Sequence, residues 1–67
     1  MLGQVDEAIK AYLTLLKLNP DDADAHFNLA GFYHRKGLKE EVIKELETAL
    51  KLKPDYTQAR EALEAIR

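Results

Sequence analysis

The feature that most constrains this chain is that it repeats itself with a period of 34 residues. Laid over residues 35–67 without a gap, residues 1–33 give the identical pairs Gly3/Gly37, Glu7/Glu41, Ile9/Ile43, Lys10/Lys44, Thr14/Thr48, Leu16/Leu50, Lys17/Lys51, Leu18/Leu52, Pro20/Pro54, Asp21/Asp55, Ala25/Ala59 and Leu29/Leu63. Asp6/Glu40, Ala8/Val42 and Tyr12/Leu46 are conservative pairs in the same register. A period of this length marks stacked supersecondary units, each of which buries its apolar face against the next. The chain has 67 residues and no Cys. It therefore has no disulfide to offset a small core, and stacking must do that work.

Local signals divide each period into two helices. Val5, Ala8, Ile9, Tyr12, Leu15 and Leu16 recur at spacings of three and four and predict a helix over about 4–18. Pro20 stops it, because a residue preceding proline is pushed out of the helical region. Asp21 and Asp22 are N-cap candidates for a second helix over about 23–36. Gly37 closes that helix as a left-handed C-terminal cap. A third helix, about 38–52, ends before Pro54. A fourth, about 57–66, is expected to be capped by Asp55, with Gln58 at capping-box spacing. Connections this short make neighbouring helices antiparallel. The expectation is an all-α chain of four helices in one domain.

This 34-residue helix–turn–helix pattern resembles the tetratricopeptide repeat. His26 stands in the family's Trp slot, and Leu29, Ala30 and Tyr33 match its Leu, Gly and Tyr slots. Val42, Leu46, Ala49 and Pro54 match the small, Phe, Ala and Pro slots of the second helix. The resemblance implies a right-handed superhelix of helical hairpins. Residues 1–22 would be the second half of one repeat, 23–56 a full repeat, and 57–67 a C-terminal capping helix. His26 for Trp is the clearest departure and makes the core of the middle repeat smaller and more polar.

The resemblance also implies a function: a noncatalytic interaction module or scaffold whose concave groove receives a peptide or protein. The groove would be lined by Asp24, Phe27, Asn28, Gly31, His34 and Arg35, continued by Gln58, Glu61 and Ala65. A helical wheel at about 100° per residue sets Asp24, Asn28, Gly31 and Arg35 opposite the arc of His26, Leu29, Ala30, Phe32 and Tyr33. Each groove residue has an ordinary structural reading beside the functional one. Phe27 is an anchor or is half-covered by the chain itself, and Arg35 and Lys36 suit the negative end of the helix dipole. Gly31 costs a helix interior about 1 kcal/mol relative to Ala, which hints at close approach by another chain. Some family members hold a terminal carboxylate with a clamp of Lys, Asn and Arg. Asn28 fits one of its slots, but those that should carry Lys or Arg hold Phe27, Gln58, Glu61 and Ala62, so such a clamp is not expected.

Other functions find little support. The chain has no Ser and no Cys for a nucleophile, and its three glycines form no phosphate loop. His26 and His34 lie eight residues apart on one helix, too far along its axis to share a metal. No catalysis, metal or cofactor is expected. A net charge of −2 argues against nucleic acid as a partner. No apolar run is long enough to span a membrane, and no signal segment is apparent, so a cytoplasmic setting is expected.

The two ends differ. Ala59, Ala62, Leu63 and Ile66 form a narrow apolar stripe backed by Arg60, Glu64 and Arg67, as a capping helix needs. The first helix is broader. Leu2, Val5, Ala8, Tyr12, Leu13 and Leu15 are candidates for a self-association face, and Ile9, Leu13 and Leu16 for the flank that meets the second helix. A homodimer or helix-swapped homo-oligomer through the first helix is therefore an alternative function. A designed or truncated repeat fragment without its own ligand is another.

Overall fold

The computed structural model describes residues 2–67, with side chains from Gly3 onward. Four helices follow one another: α1 Leu2–Leu18, α2 Ala23–Arg35, α3 Lys39–Leu52 and α4 Thr57–Ile66. Among the described residues there is no strand. Packing is sequential: α2 lies between α1 and α3, and α4 packs on α3. α1 begins at Leu2 rather than near Gln4 and takes Gly3 into its first turn.

The core has two parts that meet at α2. Val5, Ile9 and Leu16 of α1 close against Ala25 and Leu29. Ala30 packs with Val42, Leu46 and Ala49 of α3, and with Tyr56, Ala59 and Leu63 near and within α4. Tyr33 touches both clusters. This is why α2 needs a broad apolar arc while α4 manages with a narrow stripe. Leu29 and Leu46 are the largest fully buried side chains. Ile9 and Leu16 face α2 as expected, but Leu13 does not; it is 43% exposed.

Two of the boundaries follow the local signals closely. Asp22 is the N-cap of α2, and its Oδ1 accepts from the Ala25 N–H at 3.0 Å. Gly37 takes φ +74°, a left-handed conformation that costs glycine nothing. Its N–H donates to the His34 carbonyl, and the Leu38 N–H donates to that of Tyr33, the paired bonds of a Schellman ending. The expected Asp55 cap and capping box do not form. Tyr56 is the N-cap of α4 and makes no side-chain cap bond. Its ring is buried instead, tilted against Phe27 at 5.1 Å between centroids. Burying an aromatic ring outweighs one cap bond of about 1 kcal/mol.

His26, in the Trp slot, is a polar pin. Nδ1 lies 2.7 Å from Glu45 Oε1 of α3, and Nε2 lies 3.0 Å from the Pro20 carbonyl. One side chain thereby ties the α1–α2 turn, α2 and α3 together. No buried side-chain nitrogen or oxygen among the described residues lacks a partner.

Candidate protein-binding surface

The exposed face of α2 opens onto a concavity of about 860 Å³. The start of α3 and the second half of α4 form its other walls. Of the residues expected in the groove, Phe27, Asn28, Gly31, His34 and Arg35 of α2 and Ala65 of α4 line it. Asp24, Gln58 and Glu61 are exposed but stand outside it. Leu38, Lys39, Val42, Ala62 and Ile66 also line it, as do Tyr12 and Phe32. The helical wheel of α2 did not reveal these, because they arrive from other elements or from the flanks of the core arc. The small residues Ala62 and Ala65 on one face of α4 were the only local signal.

The residues on this face carry different duties. Phe27 is half-buried: its ring rests on Tyr56, and it packs against the α2–α4 core. The Tyr56 hydroxyl is pushed up to about 12, by burial first and then by the carboxylates of Asp24 and Asp22. Asp24 therefore acts on Tyr56 at the N-terminal end of α2, away from the concavity. Gly31 is exposed, and a Cβ built on it meets nothing within 4 Å. No close approach within the chain accounts for this glycine. The Arg35 guanidinium lies over the Phe32 ring, 5.7 Å from its centroid. Lys36 turns the other way and pairs with Asp6 of α1 at 2.6 Å.

The α1 residues considered for self-association divide in the structure. Val5 is buried against α2, so it belongs to the core and not to a free face. Tyr12 and Leu15 are half-buried and pack on the same cluster, with the Tyr12 ring 5.7 Å from that of Phe32. Ala8 is half-buried and Leu13 is exposed. The Leu2 side chain lies outside the described residues. At the other end, Arg67 pairs with Glu47 at 2.6 Å. Arg60 donates through Nη2 to the Pro54 carbonyl at 2.7 Å. Among the described residues no three His, Cys, Asp or Glu are grouped to hold a metal ion. Among the described residues no helix is long and apolar enough to cross a membrane.

A stack of two-helix units with a concave face on one helix of each pair defines a helical-repeat protein. Comparison with protein families agrees: a TPR repeat model matches residues 2–37, and a tetratricopeptide repeat model matches residues 23–56. The chain belongs to the tetratricopeptide repeat family. The repeats of this family are generally protein–protein interaction modules. None of the curated proteins compared with the chain matches it.

Proposed function

We propose that the concave face of α2 and α4 is a protein-binding surface that receives an extended or helical segment of a partner, in a cytoplasmic setting and without catalysis. The observation that carries this reading is Gly31. It is exposed at the concave face and unneeded by the chain's own packing, yet it weakens a helix interior by about 1 kcal/mol. Apolar walls with a few polar groups are the usual make-up of a recognition site. Phe27 is a poor probe of it, because its loss also exposes Tyr56. Amide chemical-shift mapping with a library-selected peptide is a better test. The largest shifts are expected at Asn28, Gly31, Arg35 and Ala65. Shifts centred on Lys44, Thr48 and Lys51, on the outer side of α3, would contradict it.

A second reading, self-association through α1, rests on Leu13. That side chain is exposed beside half-buried Ala8 and Tyr12. A homodimer in light scattering that Leu13→Glu turns into a monomer would support it. A monomer at all concentrations would exclude it.

A further inference from the structure

The concavity is charged in the opposite sense to the chain that carries it. The whole chain has 12 acidic and 10 basic residues. None of its carboxylates lines the concavity, whereas Arg35 and Lys39 both do, with His34 beside them. Glu40 and Glu41 in the first turn of α3 stand outside it, as do Glu61 and Glu64 of α4. Neither Arg35 nor Lys39 is in an ion pair among the described residues, although Lys36, between them in sequence, is.

Arg35 is also not occupied as a helix cap. The last carbonyls of α2 already accept from the backbone N–H groups of Lys36, Gly37 and Leu38. Its guanidinium is held over Phe32, at the wall of the concavity, and the fork is left with donors to spare. The apolar lining that a ligand can reach is Leu38 and Ala65, exposed, with half-buried Ala62 and Ile66, and the space at Gly31 is open. A ligand that matches both parts has an apolar side chain over Gly31 and a carboxylate beside Arg35 and Lys39.

We infer that the occupant of this surface is an acidic–apolar peptide segment, with Asp or Glu flanking a Leu- or Phe-type side chain. This inference rests on the binding-surface reading above and adds the chemical class of the partner. Charge complementarity chooses among partners and speeds encounter more than it adds affinity, so the signature is a preference that salt weakens.

The test uses fluorescence anisotropy of the full chain with three labelled probes. They are a pool of short peptides rich in Glu and Leu or Phe, a matched pool with Lys in place of Glu, and mixed-sequence single-stranded RNA. The acidic pool is expected to bind about ten-fold more tightly than the basic one. The charge reversal Arg35→Glu with Lys39→Glu should invert that preference, and added salt should shrink it. Gly31→Leu should abolish binding of either pool without lowering the melting temperature. Equal or basic preference, with binding still lost in Gly31→Leu, would overturn the acidic class and leave the surface standing. Binding of both pools that survives Gly31→Leu would overturn the surface itself. Failure of every pool to bind would overturn both. RNA binding tighter than the acidic pool would overturn the peptide class in favour of a nucleic-acid phosphate backbone.

Discussion

Pro20 and Pro54 open equivalent turns 34 residues apart, and each carbonyl is held by the side chain six positions on. At the first turn that side chain is His26, whose other nitrogen is on Glu45, and the pair is only 14% and 15% exposed. At the second it is Arg60, an exposed residue. The residue two past each proline differs as well. Asp22 gives its carboxylate to the start of α2, whereas Tyr56 gives its ring to Phe27 and leaves the start of α4 without a side-chain cap. One repeat frame thus supports two chemistries. The first turn is sewn to α2 and α3 by polar contacts. The second is held by aromatic burial, with a surface arginine across it.

The largest effect should separate the two halves of the core. Leu29 and Leu63 occupy the same slot, but Leu29 is fully buried in the cluster that joins α1 to α2, whereas Leu63 stays 7% exposed in the cluster that closes on α4. Leu29→Ala is expected to cost about 2–5 kcal/mol, comparable to the whole stability of a chain this size, and Leu63→Ala less. Urea denaturation of both variants checks the order. Equal losses would mean that α2 is no more central than α4.

The turn pins come next. Glu45→Ala leaves a sheltered imidazole nitrogen without its partner and should cost about 1–3 kcal/mol. Arg60→Ala should stay within about 0.5 kcal/mol, as exposed surface changes usually do. Thermal melts of the two variants show whether the first turn is the tighter.

The aromatic closure of the second turn has a signature in pH. Tyr56 is raised from the ordinary 10.0 to about 12 in the folded chain. A raised phenol contributes stability that is fully present below pH 10, where both states hold the proton. That contribution is lost as pH climbs toward about 12, where only the folded state still holds it. Burial, with Glu45 and Glu41, also raises Tyr33, partly offset by Lys36, in the same direction. Tyr56→Phe should therefore flatten, without abolishing, the fall in stability above pH 10. An unchanged slope would place the alkaline sensitivity elsewhere.

How much of this could be read beforehand depends on the range of each interaction. Gly37, Asp22 and the two prolines act within a few residues, and their spacing was enough to place four helices. Asp55 misled because its spacing to Gln58 is local, while the burial of Tyr56 depends on Phe27 in another helix. Val5 looked available on a wheel of α1 alone, but α2 covers it. For His26 the slot was legible and the partners were not, since Glu45 lies 19 residues away. The concave residues of α2 followed from the family pattern. Leu38, Lys39 and Val42 came only with the packing of α3 against α2.

The binding-surface reading rests on Gly31, whose effect on stability is modest beside that of the core. If the open face of α2 is kept for a partner and not for folding, a methyl group there has room and removes the entropy cost of glycine. The melting temperature of Gly31→Ala measures this directly. A gain of about 1 kcal/mol, or about 4–8 °C for a domain of this size, is the predicted result. A fall in melting temperature would show that the glycine serves the chain's own packing and would contradict the claim.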